Sequence, residues 1–176
     1  MPVRVVKPED AESILKIYSP YITDTSVTFE IETPTIDDMR NRIINISHVY
    51  PWFVYEEDNE VKGYAYASKH RERAAYRWSV DFAVYVNTDS QGKGIGKALF
   101  TELIGAVTRL GYYNAFGVIA LPNDRSIALH GSFGFIQAGI TRNCGYKLGA
   151  WHDVGIWQLK LRDTEGEPAE PGIFNG

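Results

Sequence analysis

The chain has 176 residues, of which 44% are hydrophobic and 23% are charged, and its formal net charge is −4. This size and composition indicate one globular domain, and the small negative charge argues against a nucleic-acid partner held by phosphate contacts. One cysteine, Cys144, excludes a disulfide framework and a multi-thiolate metal site. No apolar run approaches the ~20 residues of a membrane span, and the N-terminus lacks an apolar signal core, so we expect a cytoplasmic protein with no membrane partner.

The N-terminal third of the chain predicts one strand and two helices. Residues 3–6 alternate as a short strand, and Pro8 then opens a helix. We expect this first helix to end near Pro20, because proline lacks the N–H that an interior helical position needs. A second helix is predicted from Thr35 to Ser47, with Thr35 as its N-terminal cap.

The middle of the chain contains the clearest periodic patterns. Residues 52–56 and 61–70 are rich in β-formers and are separated by a polar turn, which is a hairpin signal. Residues 77–86 alternate between apolar and polar or small side chains and predict a strand. A helix is predicted from Gly94 to Leu110, because apolar residues recur on one of its sides.

The last elements complete a mixed α/β pattern. They are a strand at 113–120, a short helix at 124–133, and strands at 135–142 and 154–161. The element order predicts a single mixed central sheet flanked by helices, since three consecutive strands argue against a plain doubly wound parallel sheet. We assign residues 1–162 to the domain and 163–176, which are acidic and rich in proline and glycine, to a mobile or loosely docked tail.

A glycine-rich turn, Gln91-Gly92-Lys93-Gly94-Ile95-Gly96-Lys97, joins the clearest strand to the clearest helix. Such a turn presents backbone N–H groups without intrahelical partners at the positive end of the helix dipole, so it predicts a phosphate site. It is not a nucleoside-triphosphate loop, because Ala98 follows Gly96-Lys97 and supplies no hydroxyl for magnesium. The dinucleotide spacing G-x-G-x-x-G also fails. The alternative is a glycine-rich connector without a ligand.

The pattern Gln91-x-x-Gly94-x-Gly96, following a strand, resembles the acyl-CoA pyrophosphate loop of the GNAT superfamily of N-acetyltransferases, whose motif is Gln/Arg-x-x-Gly-x-Gly/Ala. Asn123, Ser126 and His130 lie at that family's spacing in a second segment, and the resemblance covers roughly residues 3–161. It implies the GNAT fold, acetyl-CoA as cosubstrate, and a V-shaped gap beside the strand that ends at Val86. The residues it places on acetyl-CoA are Val84, Tyr85, Val86, Gln91, Gly92, Lys93, Gly94, Ile95, Gly96, Lys97, Asn123, Ser126 and Ser132.

Residues 25–30, 63–65, 75–77 and 80–86 are similar to one branch, the phosphinothricin and methionine sulfoximine N-acetyltransferases. This resemblance implies acetylation of the amino group of a small amino acid with a tetrahedral phosphinate, sulfone or sulfoximine head, which is a detoxification. The implied substrate contacts are Phe29, Glu30, Tyr76, Arg77 and Trp78. Arg77 suits a carboxylate because its planar fork binds oxyanions at two points; a surface charge is the alternative.

The chemistry requires a proton acceptor, since an ammonium group cannot attack a thioester. Asp81 is the candidate, and it is shorter than the Glu that is usual in this branch, which favours a water relay over direct contact. His130 stands where many family members have a Tyr, so it is the candidate acid for the CoA thiolate. A structural Asp81, a packed His130 and an unaided thiolate are the alternatives.

No histidines pair at metal-ligand spacing, so we expect no metal. In the branch, the region matching residues 143–153 helps two subunits meet, which implies a homodimer. We expect direct attack in a ternary complex, since no nucleophile for an acyl-enzyme is evident. The alternatives are a protein or peptide acetyltransferase acting on Lys or N-terminal amines, and a non-catalytic acyl-CoA-binding module.

Overall fold

The computed structural model describes residues 2–176, so Met1 of the predicted domain lies outside the described residues. Strands and helices follow one another in the order that the hydrophobic patterns predict. In chain order they are β1 (Val3–Val5), α1 (Ala11–Thr23), α2 (Ile36–Ser47), β2 (Trp52–Glu57), β3 (Glu60–Lys69), β4 (Ser79–Val86), α3 (Ile95–Arg109), β5 (Asn114–Ala120), α4 (Asp124–Ser132), β6 (Ile136–Lys147) and β7 (Ala150–Lys160).

The strands form one mixed sheet in the order β1-β2-β3-β4-β5-β7-β6, which confirms the predicted fold class. Every neighbouring pair is antiparallel except β4 and β5, which run parallel. Their ladder extends from Ser79 opposite Asn114 only as far as Phe82 opposite Gly117. Beyond it, each strand stays paired on its outer side, to β3 and β7 respectively. A gap therefore opens in the middle of the sheet, as the resemblance implied.

The two faces of the sheet bury separate apolar clusters. One cluster packs α3 against the strands and includes Phe53, Leu99 and Phe100. The other packs α1 and α2 against the opposite face and includes Trp52 and Val54. Neighbouring residues of β2 thus enter different cores, because successive side chains of a strand point to opposite faces.

The first helix runs three residues beyond Pro20, so the predicted end of this helix was wrong. A 3₁₀ turn over Pro8–Asp10 precedes it. Proline removes one helical hydrogen bond, but Ile22, beyond it, is only 1% exposed in the core shared with α2. Burial of the apolar stripe outweighs the lost bond, because tertiary packing supplies most helical stability in proteins.

The last two strands form a long hairpin, so the predicted interruption at 143–153 was also wrong. Pairing shifts register between Thr141 and Gly145, and Asn143 adopts a left-handed conformation there with φ 46°. Its N–H donates to Asp153 Oδ1 at 2.8 Å. A bulge thus absorbs the irregular residues and lets the ladder continue to Lys147 opposite Ala150.

The last part of the segment 163–176 lies against the domain. Gly172 N–H donates to Leu110 O at 2.7 Å, Phe174 N–H donates to Val49 O at 3.1 Å, and the Phe174 ring lies 5.7 Å from that of Phe53. Composition gave no sign of this aromatic anchor. The domain boundary at 162 and the mobility of the tail stay predictions. Within residues 2–176, no helix combines the length and apolar character that crossing a membrane requires.

Candidate active site

A cleft of about 670 Å³ occupies the gap between the parted strands, α3 and α4. All but two of the residues predicted to bind acetyl-CoA line it. They are Val84, Tyr85, Val86, Gln91, Gly92, Gly94, Ile95, Gly96, Lys97, Asn123 and Ser126. Lys93 is exposed and outside the lining, and Ser132 is exposed on the far end of α4, where its hydroxyl donates to Leu129 O at 2.7 Å.

The glycine-rich loop leaves backbone donors free at the mouth of the cleft. Gly92 and Gly94 have φ of 78° and 81°, a left-handed conformation that favours glycine, and a Cβ at either position would meet only open space. The first hydrogen bond of α3 runs from Ala98 N–H to Gly94 O at 3.0 Å. The three preceding N–H groups, of residues 95–97, therefore have no intrahelical acceptor, which is the arrangement of an anion site.

Tyr21, which sequence analysis did not single out, ties this loop to β4. Its hydroxyl donates to Val86 O at 2.6 Å and accepts from Gln91 Nε2 at 2.9 Å. Tyr21 reaches this position because α1 continues past Pro20. The Gln91 side chain thus fixes the loop through Tyr21.

The start of α4 forms the other wall of the cleft. Asn123 caps the helix, its Oδ1 accepting from Ser126 N–H at 3.1 Å. Arg125 also lines the cleft and adds positive charge there. Sequence analysis did not single out Arg125, although it lies two residues after Asn123 in the segment that the resemblance places on acetyl-CoA.

His130 is buried in the wall of the cleft between the rings of Phe100 and Phe135, at 5.0 and 4.9 Å. Its Nδ1 lies 2.7 Å from Ser126 O, and because a carbonyl only accepts, Nδ1 must carry the proton. Nε2 is buried without a partner among the described residues and faces Gly117, where a Cβ would lie 2.3 Å away. Burial lowers the pKa of His130, although the bond to Ser126 opposes this. These features favour packing, and the role as thiolate acid stays a prediction.

Asp81 is bound to a histidine that sequence analysis missed. Its Oδ1 lies 2.6 Å from Nδ1 of His70, which follows β3. Burial raises the pKa of Asp81, and the hydrogen bond with His70 opposes that rise. The register of β3 and β4 is what brings the two side chains together. Asp81 pairs with Ser68, and His70, two residues after Ser68, lies on the same face of the sheet.

A smaller cavity of about 320 Å³ lies on the α1–α2 face, and Tyr85 lines both cavities. Glu30 lines the smaller one and is held by Arg42, whose Nη1 donates to Glu30 Oε2 at 3.0 Å. Two contacts from the last hairpin hold this segment. Phe29 lies on Gly145, where a Cβ would be 2.2 Å from the ring, and Lys147 Nζ donates to Thr28 O at 2.7 Å.

The other predicted substrate residues separate into two places. Tyr76 lies near His70, with ring centroids 5.7 Å apart. Arg77 pairs with Glu170 of the tail at 2.9 Å, and Trp78 Nε1 donates to Ala169 O at 2.8 Å. Their roles in substrate binding stay predictions. Across residues 2–176, no three His, Cys, Asp or Glu side chains gather in a way that could hold a metal ion.

Comparison with known proteins identifies the class of this fold and cleft. Residues 3–156 match the family model described as acetyltransferase (GNAT) domain. The chain belongs to this family and is an N-acetyltransferase, which confirms the resemblance drawn from the glycine-rich loop.

Individual members of the family show which of its enzymes this chain is similar to. The chain is 37% identical to a phosphinothricin N-acetyltransferase of Streptomyces viridochromogenes, over 96% of this chain and 90% of the relative. It is 31% identical to an L-methionine sulfoximine/L-methionine sulfone acetyltransferase of Salmonella typhimurium, over 92% and 95%. A solved GNAT superfamily phosphinothricin acetyltransferase from Sinorhizobium meliloti, in complex with AcCoA, superposes with a TM-score of 0.92 at 36% identity, covering 99% of this chain and 96% of that one.

Proposed function

We propose that this protein transfers the acetyl group of acetyl-CoA to the amino group of a small amino acid or analogue of the phosphinothricin, methionine sulfoximine or methionine sulfone type. The observation that carries the proposal is the gap where β4 leaves β5, with free N–H groups at its mouth. The relatives named for these substrates support the acceptor class and a detoxifying role.

The cleft suits a long ligand with one charged end. The diphosphate binds the N–H groups of residues 95–97, with Lys97 and Arg125 adding charge along the lining. The pantetheine arm then follows Val84 to Val86 in the manner of an added strand. This path brings the thioester to the point where the strands part, next to Phe82 and Gly117. A backbone N–H at that point polarises the thioester carbonyl.

The acceptor approaches from the face of the sheet that carries Asp81 and Tyr85. The smaller cavity opens on this face, and Phe29 and Glu30 belong to the segment beside it. The arriving ammonium group loses its proton on the side of the sheet where Asp81 lies, and the amine then attacks the thioester carbon directly. Cys144, the one thiol of the chain, lies exposed on the hairpin bulge and does not line the cleft, which supports a ternary complex over an acyl-enzyme.

We further propose a homodimer formed through the β6–β7 hairpin. β6 is an edge strand, and Leu148 and Trp151 near the hairpin turn are 60% and 62% exposed. Large apolar side chains exposed beside a sheet edge are typical of an interaction site. Light scattering after gel filtration tests the assembly, and a monomer at all concentrations would contradict it. The cytoplasmic location stays a prediction.

Thiol release from acetyl-CoA tests the activity directly. We expect release with methionine sulfone, methionine sulfoximine or phosphinothricin, and none with a panel of Lys-containing and N-terminally free peptides. Release with the peptides alone would mean a protein or peptide acetyltransferase. Binding of acetyl-CoA without release for any amine would mean an acyl-CoA-binding module.

A further inference from the structure

We propose that His70 and Asp81 act as one unit in which Asp81 orients the imidazole and His70 Nε2 takes the proton from the substrate's ammonium group. This inference deepens the N-acetyltransferase function proposed above and rests on it. It assigns a role to a histidine that the glycine-rich loop and the cleft leave unused.

The hydrogen bond between the two side chains fixes the tautomer. Asp81 Oδ1 lies 2.6 Å from His70 Nδ1. An ionised carboxylate only accepts, so Nδ1 carries the proton and Nε2 presents a lone pair. Among the residues that the structure describes, none forms a hydrogen bond with Nε2 of His70. This nitrogen is also not one of the buried side-chain atoms that lack a partner. A base oriented by a carboxylate is the arrangement that general base catalysis requires.

Packing holds the His70 ring in one orientation. The ring stacks on Phe116 of β5, with centroids 4.2 Å apart and planes 12° from parallel. Tyr76 contacts its edge at a centroid distance of 5.7 Å. The side chain of His70 is 11% exposed and that of Asp81 30% exposed, so both are shielded and still open to solvent. Such a site can receive a proton without a change of rotamer.

The unit lies beside the point where the strands part. Asp81 is opposite Phe116, one residue before the last paired position of β4 and β5. Ala83 is the next residue of β4 on the same face and lines the cleft. Two residues of a strand span about 7 Å. His70 follows Lys69, which is opposite Val80, so its backbone lies on the side of Asp81 away from the gap. The imidazole therefore receives the proton of the amine through a water, the relay that the short Asp81 side chain already favours.

The charges around the unit are few. Arg71 acts on Asp81 and favours its ionised form, together with His70 itself. Tyr76 and Phe116 supply the remaining walls, and Ser68 is the partner of Asp81 on β3. When the imidazole of His70 becomes protonated, its positive charge neutralises the negative charge of Asp81. Proton uptake therefore creates an ion pair and leaves no isolated buried charge.

The proton balance is as follows. One proton leaves the ammonium for His70 Nε2, and the freed lone pair forms the C–N bond to the thioester carbon. The C–S bond then breaks, and a second proton leaves the nitrogen for the thiolate sulfur. The imidazolium releases the first proton to water. Each turnover thus converts ammonium and acetyl-CoA into amide, free thiol and one proton in solution.

The two histidines beside the sheet gap differ in ways that decide which one can act. Nδ1 of His130 donates a hydrogen bond to a backbone carbonyl, and its Nε2 is buried against Gly117. Nδ1 of His70 donates a hydrogen bond to a carboxylate, and its Nε2 is not a buried atom without a partner. Only the second arrangement pairs the imidazole with a counter-charge and leaves its other nitrogen available.

The test replaces His70 and Asp81 singly and together, as His70→Asn, Asp81→Asn and the double variant. Asparagine at 70 keeps a donor near the Nδ1 position for Asp81 but cannot accept a proton. We expect kcat to fall about 100-fold in His70→Asn, within the range of general base catalysis, with an unchanged KM for acetyl-CoA. The double variant should be no slower than the slower single, because the two groups act as a unit. His48→Asn, at the exposed end of α2, is the matched control and should keep wild-type kcat.

The pH profile separates catalysis from support of Asp81. The deficit of His70→Asn should shrink as the pH rises toward the pKa of the substrate's ammonium group, because the amine then arrives already deprotonated. A deficit that stays constant with pH, or a kcat near wild type, would overturn the proposal. Multiplicative losses in the double variant would also overturn it, since independent groups give additive free energies.

If the variants fail to fold, a measurement on the wild-type protein that needs no turnover still tests the proposal. Nitrogen-15 NMR of the imidazoles in the wild-type protein at high pH should show His70 protonated on Nδ1, and the opposite tautomer would refute the unit. Failure of the underlying function looks different. In that case the wild-type protein itself releases no thiol with any amine, and both proposals fall together.

Discussion

The two sides of the gap in the sheet use different chemical groups, backbone on one side and side chains on the other. At the mouth of the cofactor cleft the binding groups are backbone, with two left-handed glycines and three free N–H groups supplied by one short stretch of chain. The proposed acceptor side consists of side chains from distant segments, such as Asp81 with His70 and Glu30 with Arg42. Backbone recognition therefore leaves a compact motif, whereas side-chain recognition depends on strand register and on loops held by other elements.

This contrast predicts that substitutions separate by substrate. Changes in the loop should alter the KM for acetyl-CoA, and changes on the opposite face should alter the KM for the amino acid. The largest effect on binding is expected from Gly94→Ala, because a non-glycine residue in the left-handed region costs ~1–2 kcal/mol, so the free loop relaxes to another conformation and the cost returns on binding. This corresponds to about a tenfold weaker binding of acetyl-CoA, measured by calorimetry. Gly139→Ala, at an open position of β6, is the control and should bind as wild type does.

Tyr21→Phe should weaken acetyl-CoA binding about fivefold, since it removes two hydrogen bonds that hold the loop, each worth ~0.5–1.5 kcal/mol. Gln91→Ala removes one of the same bonds. The double variant should therefore lose less than the sum of the single losses, because the residues share a partner. Simple additivity in a double-mutant cycle would mean that Tyr21 does not act through the loop.

Gly145→Ala tests the acceptor side. The added Cβ would lie 2.2 Å from the Phe29 ring, so Phe29 and the segment after Thr28 must shift. We expect the KM for methionine sulfone to rise about threefold and the melting temperature to fall, with acetyl-CoA binding unchanged. Steady-state kinetics with each substrate varied in turn measures both effects. A rise confined to the KM for acetyl-CoA would contradict the division between the two sides.

The smallest effect concerns Arg77, which is half exposed and paired with Glu170. Such a surface pair is worth about 0–1 kcal/mol, so the guanidinium can exchange Glu170 for a substrate carboxylate at little cost. Arg77→Ala should raise the KM for the amino acid about twofold, and Glu170→Ala should leave it equal or slightly lower. Equal changes in both variants would mean that the pair only attaches the tail.

The sequence predicted most of the fold, because each element has a local hydrophobic period and its own start signal. Thr35 caps α2 as expected, its hydroxyl accepting from Asp38 N–H at 3.1 Å. Local signals failed where tertiary burial decides the outcome, at Pro20 in α1 and at the bulge that continues β6. They also missed Phe174, because the composition of a segment does not show where one aromatic side chain will pack.

The candidate site was predicted where it is contiguous in sequence. The loop from Gln91 to Lys97 lines the cleft apart from Lys93, whose side chain lies outside the lining. Tyr21 and His70 were missed because each acts through a partner more than ten residues away, Val86 for one and Asp81 for the other. Only the strand register brings His70 and Asp81 onto one face.

The central claim is that the amides of residues 95–97 bind the diphosphate of acetyl-CoA at the gap between β4 and β5. A crystal structure of the protein with acetyl-CoA tests this most directly. The account predicts diphosphate oxygens within hydrogen-bond distance of those three nitrogens and the thioester beside Ala83. A cofactor bound elsewhere, or crystals that never take it up at saturating concentration, would contradict the claim.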